Sequence, residues 1–341
     1  FYFLNGSFEM IDNATQSVLD VIDNSNLSVD NSLVKTTGTP NYFASVIDVG
    51  HYIAHCTDGV GSKIKHLIKH EMYSTIGRDC FAMNYNDILC VGANAVSFQD
   101  HITSKNSDAH IIPKVVEGIV EYCGETFTLL SGGETEILKD THFHVSGSLM
   151  GIVQKDNLID GSRVQHGDVI IGLESSGIHS NGWTAIEDRV PELILPETLT
   201  ATKLYNNDIN LLTTQLENVS AIVNITGGGF RNLERIPNNF MYDIYHESPS
   251  RTWEILETKF NHQELYTSFN MGIGMMVIVR PEVVDRALGS LLSNPKVIGK
   301  VKDFRCPKVM VNGQEIHFGD TEPYVFESNE IESSNINLMD N

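Results

Sequence analysis

Ala54-His55-Cys56-Thr57-Asp58-Gly59-Val60-Gly61-Ser62-Lys63 closes an apolar run and opens an amphipathic one. A strand that stops where a helix starts is the joint of an α/β chain, and this joint carries a carboxylate, two glycines and a lysine. The Gly-x-x-x-x-Gly-Lys-Ser/Thr spacing of a P-loop is absent, so that reading is rejected. What remains is an acidic turn. Asp58 at a strand end suits magnesium, which takes one or two carboxylates and completes its shell with phosphate oxygens and water. Asp-Gly is also a very common turn dipeptide, and taken alone the plain turn is the better reading.

Upstream, Phe43 to Val49 and Tyr52 to Cys56 read as a hairpin turning at Val49-Gly50. Lys35 to Asn41 is a turn-rich loop, and the first thirty residues form a helical or loose lead-in with Val18, Leu19 and Ile22 at helical spacing. Downstream, Ser62 is placed to cap a helix whose Ile64, Leu67 and Ile68 share a face. A second helix, from about Gly77 to Val91, sets Cys80, Met83, Asp87 and Val91 along one stripe. A carboxylate at the edge of that stripe is costly unless paired or ligated, so Asp87 is either structural, a cap or an ion pair at a helix end, or a ligand. Pro113 opens a helix through Cys123. Phe127 to Leu130 reads as a short buried strand turning at Ser131-Gly132-Gly133-Glu134-Thr135, and His142 to Val153 supplies one or two strands more.

The polar stretch from Lys155 to Gly167 separates two domains, 1–155 and 156–330, with a loose Ser/Asn/Glu-rich tail at 331–341. The second half restarts with a strand at Val169 to Leu173, followed by Ser175-Ser176-Gly177-Ile178-His179-Ser180-Asn181-Gly182. The end of a strand is where α/β sheets bind ligands. A strand at Ala221 to Ile225 then runs into Thr226-Gly227-Gly228-Gly229-Phe230. Three consecutive glycines cost conformational entropy, which points to a backbone N–H nest for an anion. Strands at Met241 to Tyr245, Gly274 to Val279, Lys296 to Phe304 and Lys308 to Phe318 complete an α/β (α+β) architecture, with helices at Trp253 and after Pro281.

Composition limits the function. The net charge of −21 excludes a broad nucleic-acid footprint, which needs clustered Lys and Arg. It also means that an anionic substrate must be met locally, by cations or N–H groups. Apolar runs such as Met275 to Val279 are strand-sized, no membrane partner is expected, and the opening Phe1 to Leu4 lacks the basic region of a signal peptide. A cytoplasmic location follows as the expectation. Five scattered cysteines fit reduced core thiols rather than a disulfide framework or a zinc site.

No one of these motifs decides the function, but their order and spacing do. The chain resembles the phosphoribosylformylglycinamidine cyclo-ligases over nearly its whole length. The resemblance rests on Thr57 to Lys63, Asn86-Asp87, Gly132 to Thr135, Ser175 to Gly182, Thr226 to Phe230 and Phe269-Asn270-Met271-Gly272-Ile273-Gly274-Met275. The Asp-Gly-Val-Gly and Gly-Gly-Glu elements also fit a wider superfamily that includes selenophosphate synthetase, thiamine-phosphate kinase and a hydrogenase maturation factor. Another phosphotransferase of that superfamily and a non-catalytic nucleotide-binding paralogue are the alternatives.

The resemblance implies two α/β domains and a homodimer in which the N-terminal sheets join into a barrel. It implies ring closure of a phosphoribosyl nucleotide, formylglycinamidine ribonucleotide, using ATP and Mg2+. Asp58, Asp87 and Glu134 match the metal-associated positions, and His179, Asp58 and Lys63 the catalytic ones. Lys35, Gly59, Gly61, Asn86, Gly132, Gly133, Thr226, Gly227, Gly228 and Gly229 would serve the nucleotide, and Ser176, Ser180, Asn181 and Asn270 the substrate. The chain departs from the family at a shortened glycine loop near Gly38, at Asn224, where histidine is usual, and at Glu136 to Asp140 after Gly-Gly-Glu-Thr.

Overall fold

The computed structural model describes residues 35–36, 43–215, 219–247 and 250–316. The expected lead-in helix, the loop around Gly38, the Lys35 side chain and the tail at 331–341 lie outside the described residues. The chain forms two mixed α/β units. In the first, β1 (Lys35–Thr36), β2 (Ser45–Asp48), β3 (Tyr52–Gly59), β4 (Asn94–Ser104), β5 (Leu129–Ile137) and β6 (His144–Val153) make a sheet of spatial order β1-β2-β3-β6-β4-β5. Helices α1 (Lys63–Lys69), α2 (Tyr73–Cys90) and α3 (Ile112–Glu125) belong to it. In the second, β7 (Val169–Glu174), β8 (Val219–Asn224), β9 (Phe240–Ile244), β10 (Ile273–Val279), β11 (Lys296–Asp303), β12 (Lys308–Val311) and β13 (Gln314–Glu315) take the order β13-β12-β9-β11-β7-β10-β8. Its helices are α4 (Trp183–Arg189), α5 (Asn206–Gln215), α6 (Arg251–Glu257), α7 (His262–Ser268) and α8 (Val284–Ser290).

The hydrophobic pattern explains which faces close. On the first sheet Ala54 and Cys56 of β3, Phe98 and Ile102 of β4, and Val145, Leu149 and Val153 of β6 point inward, toward α2 with its buried Ile76, Phe81 and Ile88. Each such aliphatic or aromatic side chain contributes about 1.5–3 kcal/mol on burial. Helices α2 and α3 cross at a glycine from each. A Cβ on Gly77 would run into the Val115 carbonyl, and one on Gly118 into that of Ser74.

β10 is buried at every position, as expected of the run Ile273-Gly274-Met275-Met276-Val277-Ile278-Val279. β8 is an edge strand by order yet is also buried throughout, because α2 of the first unit lies against it. This contact is the seam between the two units.

Several expectations change. β4 is the strand that the sequence reading left out. Its residues alternate only weakly because one face is covered and the other is open: Phe98 and Ile102 are fully buried while Gln99 and His101 are exposed. The expected buried strand at Phe127 to Leu130 is replaced by β5, which carries Gly132-Gly133-Glu134 within a strand rather than in a turn. Among the described residues β5 pairs on one side only, in parallel with β4, so nearly all of it is exposed, and Phe127 sits before it at a φ of 54° with its ring in solvent. Ser62 makes no capping bond to α1; its hydroxyl instead accepts from Thr184 Oγ1 at 2.9 Å, across the seam. Helix α2 starts four residues earlier than expected, since Gly77 is a crossing point and not a helix start.

Candidate active site

The strand register sorts the acidic motifs. Asp58 pairs with Gly147, Gly147 with Asp100, and Asp100 with Gly133, so these four form one row across the first sheet. A row shares a face. A Cβ on Gly147 would meet the Phe98 ring and, at 3.3 Å, the Asn84 amide of α2, so the row looks toward α2. Asp87 lies on that helix, and its charge and that of Asp58 repel. Glu134 belongs to the next row, with His101, Ser146 and Gly59, and faces the opposite side. It is exposed, and its carboxylate accepts the N–H of Thr135 at 3.0 Å. One chain therefore brings Asp58 and Asp87 together and leaves Glu134 on the outer face with Gly132.

The second unit supplies the other wall. β7 and β8 both run antiparallel to β10, so the ends of β7 and β8 and the start of β10 meet at one edge of the sheet. The three motifs of this unit therefore converge. Asn270 Nδ2 donates to the Gly177 and Ile178 carbonyls at 2.9 and 3.2 Å, while its Oδ1 accepts from Gly272 N at 2.8 Å. A Cβ on Gly227 would stand 3.2 Å from the Asn181 amide. Gly228 and Gly229 hold φ values of 105° and 56°, as the tight turn after Thr226 requires. His179 and Met271 share the left-handed region, at 62° and 47°. Such strain concentrates where a ligand site is being shaped. Beside these loops opens a polar cavity of about 220 Å³, bordered by Glu174, Ser175, Ser176, Thr198 and Trp253.

Across the seam, Asn224 Nδ2 donates to Asp87 Oδ1 at 2.8 Å. Asn86 Nδ2 donates to the Lys203 carbonyl at 2.9 Å. Lys63 is fully buried, paired with Asp79 at 2.8 Å and donating to the Thr200 carbonyl at 2.6 Å. Asp79 Oδ1 in turn accepts the Thr202 N–H at 2.7 Å. The segment from Thr200 to Tyr205 is thus a strap laid over α2. Ser176 Oγ donates to Ala201 O at 2.6 Å, the Ser180 and Thr202 hydroxyls bond at 3.0 Å, and Tyr205 OH donates to Glu174 O at 3.0 Å.

His179 is held inside this network. Its Nε2 accepts the Ser176 N–H at 3.2 Å, and its carbonyl accepts from the Trp183 indole at 2.7 Å. Burial, with Lys63 and Lys203 nearby, lowers its imidazole to about 3, so the ring is neutral at physiological pH. Lys63 and His179 are therefore engaged with this chain's own groups and do not stand open to solvent.

Burial raises the carboxyls of both Asp58 and Asp87. Asp87 is pushed up to about 7, with the Asn224 amide acting downward, the Asp58 charge upward and the Arg235 charge downward. An ordinary aspartate titrates near 3.9. Between about pH 4 and 7 the folded chain then keeps a proton that the unfolded chain releases, so stability falls as pH rises through that window. Without magnesium, the thermal midpoint should drop from pH 5 to pH 7.5, and Asp87→Asn should flatten the drop. An unchanged slope in Asp87→Asn, measured by calorimetry, would remove Asp87 as its source.

Two carboxylates, each with one oxygen that accepts no recorded bond among the described residues, fit a hard divalent cation that takes the rest of its shell from phosphate and water. No group of three His, Cys, Asp or Glu side chains among the described residues is arranged to hold a metal unaided.

Sequence reading missed Asp100, Arg235 and the strap. Asp100 lies on the missed strand β4, its carboxyl raised by burial, and Gly133 lacks a Cβ where that carboxyl sits. An amphipathic reading of Phe98 and Ile102 would have found the strand. Arg235 and the strap left no periodic signal.

The fold and its seam define a two-domain class, and comparison with known proteins identifies it. Residues 43–153 match the family model "AIR synthase related protein, N-terminal domain" and residues 165–312 the corresponding C-terminal domain. The chain is 35% identical over 315 residues to the phosphoribosylformylglycinamidine cyclo-ligase of Methanobrevibacter smithii, covering 83% of this chain and 92% of that protein. It is 36% identical over 265 residues to the enzyme of the same name from Streptococcus thermophilus, covering 70% and 77%. Thiamine monophosphate kinase from Aquifex aeolicus shares the fold, with a TM-score of 0.60 at 14% identity, covering 88% and 97%. The chain belongs to the phosphoribosylformylglycinamidine cyclo-ligase family. No helix among the described residues is long and apolar enough to cross a membrane.

Proposed function

We propose that the chain closes the imidazole ring of formylglycinamidine ribonucleotide, consuming ATP and giving aminoimidazole ribonucleotide, ADP and phosphate. The observation that carries this reading is the meeting of two of the three acidic motifs, those of Asp58 and Asp87, with all three C-terminal motifs at one seam, in a chain alignable to cyclo-ligases over most of its length. The γ-phosphoryl group of ATP passes to the formyl oxygen, turning it into a leaving group. The amidine nitrogen bearing the ribose attacks that carbon, and phosphate departs.

Phosphoryl transfer of this kind needs positioning and charge neutralisation more than covalent chemistry. Asp58 and Asp87 are the residues that would hold Mg2+. When bound, that ion neutralises phosphate charge. Gly227 and Gly228 would offer their backbone N–H groups to a phosphate there, while that of Gly229 donates to the Thr226 carbonyl at 3.0 Å, and Asn181 and Asn270 shape the loop that would receive the ribonucleotide. Lys63 and His179 contribute by holding: Lys63 ties the Asp58 turn to the strap, and His179 ties the strap to the Ser176–Asn181 loop. Glu134 lies on the open outer face of the first sheet, the surface that a second copy would cover in a barrel-forming homodimer. It would serve the nucleotide from there.

Full-length protein with ATP, magnesium and formylglycinamidine ribonucleotide should release ADP in proportion to the ribonucleotide. ADP formation that is independent of the ribonucleotide, or absent from folded protein, would sink the assignment.

A further inference from the structure

Arg235 ends the short helix Gly229–Arg235 that the glycine triplet begins. It reaches across the seam, with its guanidinium carbon 5.1 Å from the centroid of the Phe43 ring, which belongs to the first unit. Its side chain is exposed, and among the described residues it makes no recorded hydrogen bond or ion pair. This is unusual for its surroundings. Asp58 and Asp87 are both close enough to feel its charge, yet it is bonded to neither. An arginine beside two carboxylates ordinarily forms a bidentate pair. Here it lies over an aromatic face, with no recorded partner for its N–H groups among the described residues.

The other lysine and arginine candidates near the seam are engaged differently. Lys63 is buried in its pair with Asp79, and Lys203 donates to the Glu174 carbonyl at 3.3 Å. In a chain of net charge −21, a phosphate entering this seam needs a local cation, and a guanidinium with free donors is the side chain best shaped to hold one.

We propose that Arg235 binds a phosphoryl group in the seam, reaching over from the second unit to complete the site formed by the first. The role rests on the cyclo-ligase reading, in which two ligands carry phosphate: ATP and the 5′-phosphate of the ribonucleotide. The chemistry is the same for both, and experiment separates them.

Full-length wild type, Arg235→Lys and Arg235→Ala are titrated by calorimetry with Mg-ATP and, separately, with formylglycinamidine ribonucleotide. In Arg235→Ala the affinity for one of these should fall about ten- to a hundredfold, the usual weight of a charged hydrogen-bonding partner. The other should change little, and Arg235→Lys should fall between. A loss confined to Mg-ATP assigns the residue to the nucleotide, and a loss confined to the ribonucleotide assigns it to the 5′-phosphate. Phe43→Leu keeps the guanidinium and removes the ring. If it weakens binding as much as Arg235→Ala, packing at the seam is responsible and the proposal falls.

The proposal also falls if both affinities stay within about twofold of wild type, or if wild type binds neither ligand. Because binding is read without turnover, wild-type protein that binds but makes no ADP would refute the cyclo-ligase reading and leave the Arg235 result standing.

Discussion

Asp58→Asn is expected to keep the fold and to lose most magnesium-dependent turnover, on the order of a hundred- to a thousandfold in kcat/KM, the range seen when one preorganised group is removed from a charge-stabilising site. The fold should survive because the carboxylate carries little structure: its Oδ1 accepts the adjacent Gly59 N–H at 2.6 Å, and an amide oxygen can do the same. Function should not survive, because an amide brings no charge to a cation. A secondary effect follows from the geometry. Burial of Asp87 remains but the repelling neighbour is gone, so residual activity should persist to lower pH than in wild type. Rates measured against magnesium concentration test both points. A variant with wild-type turnover at limiting magnesium would remove Asp58 from the metal site.

The second large effect is on stability. Lys63→Met should destabilise the protein by about 3–5 kcal/mol, because it strands the Asp79 carboxylate at a site with no exposure. Burial works against the Lys63 charge and the Asp79 charge offsets it, which is why the two must be removed together. Replacing both, as in Lys63→Met with Asp79→Leu, should recover part of the loss. Recovery should be incomplete, since the Thr200 carbonyl and the Thr202 N–H lose their partners, at about 1–3 kcal/mol each if they stay buried. Chemical denaturation of the three variants gives the comparison. A single variant as stable as wild type would show that the pair is not needed to hold the strap. Catalytic loss in the double variant, despite recovered stability, is the expected mark of a disturbed Ser176–Asn181 loop.

β7, β8 and β10 of the second sheet were legible in the sequence because they are buried on both faces. Val169 to Leu173, Ala221 to Ile225 and Gly274 to Val279 read as apolar runs, and each proved to be a strand within a residue or two at either end. The first sheet has one covered and one open face, so β4 and β5 showed weak or misleading patterns, and β4 took Asp100 out of sight with it. At the site, motifs gave the identities of Asp58, Asp87, His179, Asn181 and Asn270, but not their partners. Nothing in the spacing of Lys63 and Asp79, or of either with Thr200, states that they meet. Such contacts depend on how two units pack. The same limit applies to Glu134, which shares a motif with the site but lies one row away from Asp58, on the other face.

The strap has a consequence for how the molecule is made. Strands of the first sheet are complete once residue 153 has been synthesised, yet Lys63, Asp79 and Asn86 find their remaining partners only among residues 200–205. At about 5–20 residues per second, the nascent first unit waits several seconds with that face of α2 uncovered. During that interval β8, the strand that will cover α2, has not yet left the ribosome. The N-terminal unit therefore emerges as an unfinished body, with its acidic turn and its longest helix closed by chain that arrives later.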